Sequence, residues 1–390
     1  MLSMSKLIWI SKVLFTHFTP VINNTVFFDS FSGQYNDNPR YISEFLHKAA
    51  PETRIVWAVS ERCKELLPPY VHIVPYGSRE HERFALNSEV LIDNDMWPRS
   101  FGFRRYDVPF IHKLIKKPNQ LAISTWHGTP LKKIGKDQLK RTTRTFYTAT
   151  DYCVSGCAFN AKAVGEAFFV SNRMRMYGMP RNDFLFRKDI DVVSLKNKLG
   201  LPLDKGILLY APTFRDNHHE TAFKEREIDS IKTALKKRFG KDFAFVSRAH
   251  HVAIKRNDGA KEENSAEIIN GNIGEDMAEY LFCADVLLTD YSSSFFDYAL
   301  TGKPCFLFTP DLDEFLSSRG VYLDIEQLPF SKARTIEELI RCVETFDFDA
   351  YREDLQSFLK MLGNVEDGHA TERVVQDIVS FIHRRKKGNA

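Results

Sequence analysis

Several signatures are missing from this 390-residue sequence, and each absence narrows the reading. No C-x-x-C pair occurs among the six cysteines, Cys63, Cys153, Cys157, Cys283, Cys305 and Cys342. Neither Cys153 nor Cys157 has a neighbouring His or Cys to complete a zinc set, so buried free thiols in a reducing compartment are expected. No run of about 18 apolar residues exists, so a transmembrane helix is not expected. Lys6 and Lys12 interrupt the first apolar stretch and no small-residue cleavage site follows, so no cleavable leader is expected. An excess of one charge is also missing. Lys plus Arg number 54 and Asp plus Glu 51, a net charge of +3. That balance argues against a nucleic-acid binder but leaves room for local basic patches. No Walker A, G-x-G-x-x-G or D-x-D signature supplies an evident metal cage.

What is present is the material of two folded cores. Hydrophobic residues make up 43% and charged residues 27%, the balance of an ordinary globular protein. Apolar runs alternate with longer polar-periodic stretches, which predicts parallel α/β folding. Strands are predicted at Thr25–Phe28, Arg54–Val59, His72–Val74, Val90–Ile92, Leu121–Ser124 and Tyr152–Val154. A helix is expected from Asn38-Pro39, with Asn38 as N-cap and Pro39 in the first turn. A second alternation follows a helix stop at Gly200-Leu201-Pro202, with strands at Gly206–Tyr210, Phe243–Val246, Val286–Leu288 and Cys305–Phe308. From Thr335 to Lys387 the tail reads as helical. The expected division is residues 1–187, 188–365 and a C-terminal helix over 366–390.

Ligands of open parallel sheets bind beyond the carboxyl ends of the strands, so residues just after each strand carry most weight. Trp126-His127-Gly128-Thr129-Pro130 follows one strand on a tight loop with lysines behind it; an imidazole there suits a general base. A hydrogen-bonded turn histidine is the plainer alternative. Pro212 and Thr213 end another strand, where loop amides suit a nucleobase or phosphate. Arg248 and His250 alternate around Ala249 at a third strand end, as two cationic donors for a pyrophosphate. Asp290-Tyr291-Ser292-Ser293 runs from a strand into a helix, and its amides and hydroxyls suit phosphate. Asp297, one turn in, could accept from a hydroxyl or complement the helix dipole. Arg181 sits in the turn Gly178-Met179-Pro180-Arg181-Asn182-Asp183. The adjacent pairs His218-His219 and His250-His251 make a poor zinc site, since neighbouring side chains diverge.

As a set these segments resemble the CDP-glycerol glycerophosphotransferase family, the teichoic-acid primases and polymerases. The match comprises W-H-G-T-P-L-K, G-x-P-R-N-D, A-P-T-F-R-D, the R-x-H pair, T-D-Y-S-S-x-x-F-D and the K-P-C-F-L-F-T-P-D stretch with Arg319-Gly320. It also includes an N-terminal Gly33-Gln34-Tyr35-x-Asp37-Asn38-Pro39-Arg40-Tyr41, and runs in order over roughly residues 26–330. The resemblance implies an α/β, GT-B-like fold, with two Rossmann-like domains facing a cleft and a C-terminal helical tail crossing back. It implies transfer of an alditol phosphate from CDP-glycerol, or another CDP-alditol, to a hydroxyl of a lipid-linked glycan or polyol-phosphate acceptor, with release of CMP. Carried over by residue, the donor would touch Trp126, His127, Gly128, Thr129, Pro130, Arg181, Pro212, Thr213, Arg248, Ala249, His250, Ser292, Ser293 and Asp297. His127 would be the general base and His250 would stabilise the phosphates.

No tightly bound cofactor is expected, and Mg²⁺ is compatible as an ion assisting the pyrophosphate without a fixed protein ligand set. A GT-B glycosyltransferase using a nucleotide sugar is the alternative enzyme, and a non-catalytic scaffold of envelope assembly the alternative of another class. The Leu2–Phe15 segment, with Lys6 and Lys12, and the basic run Lys132–Arg144 suit a membrane interface. Peripheral attachment at the cytoplasmic face of the cell membrane is therefore expected.

Overall fold

The computed structural model describes residues 18–96, 116–138, 149–213, 223–248, 268–272 and 276–388. Two compact units divide the chain. The first contains residues 1–127, 134–183 and 365–390; the second contains 128–133 and 184–364. The division falls after Asp183, slightly ahead of the Arg187 boundary read from the sequence, and residues 365–390 join the first unit rather than standing apart.

The first unit is a seven-stranded parallel sheet: β1 (Ile22–Phe28), β2 (Arg54–Val59), β3 (His72–Pro75), β4 (Ser88–Asp93), β5 (Leu121–Ser124), β6 (Tyr152–Val154) and β7 (Met174–Arg175), in the order β3-β2-β1-β4-β5-β6-β7. Alternate side chains of each strand leave on opposite faces, and both faces are covered, which is why the strands read as continuous apolar runs. Val26 and Phe28 of β1, with Ile55 and Trp57 of β2, join one core. Phe27, Val56 and Ala58 between them join the other, beneath Phe84 and Ala85 of helix Arg79–Asn87. Ile42 and Leu46 of helix Asp37–Ala49 cover the first face together with Val374, Val375, Ile378 and Ile382 of the last helix, Ala370–Gly388. Each such apolar side chain contributes roughly 1.5–3 kcal/mol on full burial, so the C-terminal helix is an integral part of the first core. Its first amides are held from afar: the Asp183 carboxylate accepts from the N–H groups of Ala370 and Thr371 at 3.0 and 2.7 Å.

The helix after β1 differs from the sequence expectation. It begins at Asp37, with Asn36 at the N-cap position and no side-chain cap bond. Asn38 is not a cap; its amide makes long-range hydrogen bonds, described below.

The second unit holds a six-stranded parallel sheet: β8 (Gly206–Tyr210), β9 (Phe243–Ser247), β10 (Ile268–Asn270), β11 (Val286–Thr289), β12 (Cys305–Phe308) and β13 (Ser331–Ala333), in the order β10-β9-β8-β11-β12-β13. The expected helical tail consists of helices Ile336–Glu344, Phe348–Leu362 and Ala370–Gly388. All six cysteines are free, and all but Cys342 are buried, as the sequence led us to expect. Among the described residues no helix is long and apolar enough to cross a membrane. The Leu2–Phe15 segment lies outside them.

In each sheet the chain starts centrally, moves out one way, then returns to build the other half. The strand order thus reverses between β1 and β4 in the first unit and between β8 and β11 in the second. Such switch points are where open α/β sheets leave a crevice for ligands.

Candidate active site

In the first unit the motif residues gather beyond β1, β4 and β5. Thr125 leaves β5 with its N–H and hydroxyl both on the Asp93 carbonyl, at 2.7 and 3.1 Å. Trp126 then adopts a left-handed backbone, φ +53°. Its indole is buried against Met96, Cys153, Val164, Ala167 and Phe168, so this side chain, expected at the donor, faces the core. What it offers the site is a ring face: the His127 imidazole stacks on it at 4.0 Å and 30°. Phe31 approaches the same imidazole at 5.3 Å.

His127 is oriented by one decisive hydrogen bond. Its Nδ1 lies 2.7 Å from the Asn94 carbonyl oxygen. A carbonyl only accepts, so Nδ1 carries the proton and Nε2 carries the lone pair. Asn94 is itself fixed, since its Nδ2 donates to the Ser30 hydroxyl at 3.0 Å and its Oδ1 accepts from the Phe31 N–H at 3.1 Å. These contacts depend on a sharp turn after β1. Phe31, Ser32 and Gly33 all have positive φ, and a Cβ on Gly33 would sit 2.9 Å from the Ser60 nitrogen.

Arg181, expected at the donor phosphates, is 8% exposed and engaged within the first unit. Its Nη1 donates to Asp37 Oδ2 at 2.6 Å and to the His127 carbonyl at 2.9 Å. Deeper still lies Asp93, at the end of β4. Burial pushes its carboxyl well above the ordinary carboxylate range, outweighing the opposite pull of the neighbouring Ser124 hydroxyl.

In the second unit β9, β8 and β11 are neighbours, and their trailing loops carry the other motifs. Pro212 and Thr213 follow β8, Arg248 follows β9, and Ser292 and Ser293 follow β11. Asp290, which the sequence reading did not select as a site residue, ties two of these loops together. Its Oδ1 accepts from the Thr213 N–H at 2.8 Å and from the Tyr291 N–H at 2.6 Å. The Thr289 hydroxyl adds a bond to the Ala211 carbonyl at 2.6 Å, and Tyr291 stacks on Phe315 at 3.6 Å. The sequence signals for Asp290 were its place directly after a strand and within the T-D-Y-S-S motif. With its backbone so held, the buried Thr213 hydroxyl has no hydrogen-bond partner among the described residues.

The Arg248 guanidinium donates to the Gly271 carbonyl and lies 4.7 Å over the Tyr280 ring. Glycine permits this approach, because a Cβ at position 271 would meet the Ser247 carbonyl oxygen at 2.8 Å. Ala249 and His250 lie outside the described residues. Ser292 and Ser293 are half-buried, with the Ser292 hydroxyl accepting from Ser294 Oγ at 3.0 Å, and Asp297 is buried in helix Ser294–Ala299. Gly128, Thr129 and Pro130 group with this unit, where Leu131 and Lys133 pair with Tyr322 and Gly320 through backbone bonds of 2.8 and 3.1 Å. Among the described residues no group of three or more His, Cys, Asp or Glu could hold a metal ion.

Two parallel units of this strand order define the GT-B-like class of fold. The chain belongs to the CDP-glycerol:poly(glycerophosphate) glycerophosphotransferase family, whose model matches residues 11–380. It is 30% identical over 384 residues to the teichoic acid poly(glycerol phosphate) polymerase of Bacillus subtilis (strain 168), covering 92% of this chain and 49% of that one. It is 29% identical to the teichoic acid glycerol-phosphate transferase of Staphylococcus aureus (strain NCTC 8325 / PS 47), covering 91% and 92%. This chain therefore spans about half the length of some curated relatives and nearly all of another. A solved structure of the wall teichoic acid polymerase TagF superposes with a TM-score of 0.77 at 27% identity, covering 97% of this chain and 95% of that chain.

Proposed function

We propose that this chain transfers glycerol phosphate, or a related alditol phosphate, from CDP-glycerol to a hydroxyl of a lipid-linked or polymer acceptor, releasing CMP, in the synthesis of teichoic acid or a capsule-type polymer. The observation that carries the reading is the orientation of His127. With Nδ1–H committed to the Asn94 carbonyl, Nε2 is the basic nitrogen. The acceptor hydroxyl gives its proton to Nε2 as its oxygen attacks the β-phosphorus in line. The bond from that phosphorus to the CMP oxygen breaks, and the electron pair leaves with CMP. Such transfers depend mainly on positioning and on neutralising spread negative charge.

Binding of the donor is assigned to the second unit. The Thr213 hydroxyl, Arg248 and the Ser292-Ser293 turn lie on neighbouring strand ends and offer hydrogen-bond donors to a pyrophosphate. His250 is assigned the same role from the motif alone, and Mg²⁺ an assisting one. TagF is the family relative whose structures include one soaked with CDPG, at 28% identity and a TM-score of 0.76. Peripheral residence at the cytoplasmic face of the membrane is part of the same proposal, and the lysines at 132, 133 and 136 support it.

The direct test supplies purified protein with CDP-glycerol and, separately, CDP-ribitol, together with an acceptor, and follows both the nucleotide released and the phosphorus. CMP release with phosphorus appearing in the acceptor is expected for CDP-glycerol. Release of a nucleoside diphosphate from a nucleotide sugar, with no reaction of either CDP-alditol, would overturn the reading.

A further inference from the structure

The loop that carries His127 is gripped by residues far away in the chain. Asn38 Nδ2 donates to the Trp126 carbonyl at 3.0 Å. Arg181 Nη1 donates to the next carbonyl, that of His127, at 2.9 Å. The two gripping residues are joined, because the Arg181 backbone N–H donates to Asn38 Oδ1 at 3.0 Å. Asp37 completes the device: its Oδ2 pairs with Arg181 Nη1 at 2.6 Å and its Oδ1 accepts from the Asn38 N–H at 2.7 Å. All five bonds are made by buried residues, with Asn38 at 0%, Asp37 at 6% and Arg181 at 8% exposure.

We infer that Asn38 and Arg181, braced by Asp37, are positioning residues that hold two successive carbonyls of the Trp126–His127 backbone and thereby aim the imidazole. The inference rests on the reading of His127 as the base. Three features call for such a clamp. Trp126 has φ +53°, a left-handed conformation that a bulky side chain adopts only when its surroundings over-determine it. The imidazole hangs from a loop, and one bond from Nδ1 to Asn94 fixes its ring but not the backbone that bears it. Finally, the polarity of the Asn38 amide is fully determined: Oδ1 faces a donor and Nδ2 faces an acceptor, so no flipped amide would satisfy both. A buried ion pair contributes little net stability but does impose one arrangement. Here that arrangement includes the His127 carbonyl. Arg181 thus acts on the reaction through His127, instead of touching the donor phosphates as the family resemblance implied.

The test compares turnover and CDP-glycerol affinity in Asn38→Asp, Arg181→Ala and His127→Ala, with Asn38→Ala added in case the buried carboxylate of Asn38→Asp prevents folding. Asn38→Asp replaces the donor at the Trp126 carbonyl with an acceptor. Misplacing a reacting group by about an ångström costs on the order of 10²-fold in rate. We expect kcat to fall by about tenfold to a hundredfold, with the Kd for CDP-glycerol unchanged. In the His127→Ala background, the Asn38 substitutions should produce no further loss. Three results would overturn the inference while leaving the base assignment standing. These are an equal loss from the Asn38 substitutions with and without His127, no loss from any clamp variant, and an Arg181→Ala protein whose defect lies in Kd with kcat intact. If His127→Ala itself keeps normal turnover, the base assignment fails, and the clamp with it.

Discussion

The two sheets share a topology but prepare their carboxyl edges differently. In the first unit the edge is locked. The His127 ring is tied to Asn94, its carbonyl to Arg181, and the preceding carbonyl to Asn38, with Asp37 and Asn94 held in turn. Positive φ values at Phe31, Ser32, Asp37 and Trp126 show how much local strain the arrangement bears. In the second unit one carboxylate, Asp290, ties two loops, while the Thr213 hydroxyl has no partner among the described residues and Ser292 and Ser293 stay partly exposed. On the proposed function, His127 accepts a proton at one geometry, which calls for such fixing. Groups that bind phosphate through many donors can be arranged more loosely. On the proposed function the comparison frames a division of labour, with proton transfer falling to the first unit and donor affinity to the second.

That division can be broken or sharpened in order of expected effect. Replacing His127 with Ala is expected to lower kcat by about 10²–10⁴, the range for loss of a general base, measured as CMP release. Arg248→Ala is expected to weaken CDP-glycerol binding by on the order of 2–5 kcal/mol, the range for truncating one partner of a desolvated charge pair. Calorimetry showing unchanged affinity would remove Arg248 from the donor site.

Stability should also titrate in the first unit. His81 is buried between Phe27 and Tyr76, its Nδ1 accepts the Gly77 N–H at 2.9 Å, and burial lowers its pKa from 6.5 to about 4. The unfolded chain therefore binds the proton first as pH falls. The stability that neutral His81 preserves is complete above pH 6.5 and should decline by about 3 kcal/mol as pH falls to about 4. Denaturant melts across that window should show the slope in the native protein and not in His81→Gln. Asp93 is the counterpart, since its raised pKa has the opposite sign. The folded state holds its proton more tightly, so a penalty grows as pH rises above the ordinary value of 3.8. Asp93→Asn should raise Tm at pH 7, with the gain shrinking toward pH 4; a lower Tm at pH 7 would assign Asp93 a needed negative charge.

Much of this organisation was legible from local sequence. Strands such as Arg54–Val59 and Gly206–Tyr210 were found because burial on both faces makes them continuous apolar runs. The strands β7 (Met174–Arg175), β10 (Ile268–Asn270) and β13 (Ser331–Ala333) were not, since two or three residues at a sheet margin carry no such run. His127 was picked out by its loop and its place after a strand. The clamp was invisible for another reason. Its partners are 88 and 144 positions apart, and Asn38 beside Pro39 satisfies the local rule for an N-cap so well that a tertiary role was not suspected. Asp290 escaped because a carboxylate that binds backbone amides looks, in sequence, like any acidic residue at a turn.

The most direct test of the division of labour is the equilibrium binding of CDP-glycerol to the His127→Ala protein, measured by calorimetry on the same preparation used for turnover. A Kd equal to that of the native protein, alongside the loss of kcat, is the expected result. A Kd raised by as large a factor as kcat is lowered would contradict it, because His127 would then serve the donor's binding and not the acceptor's proton.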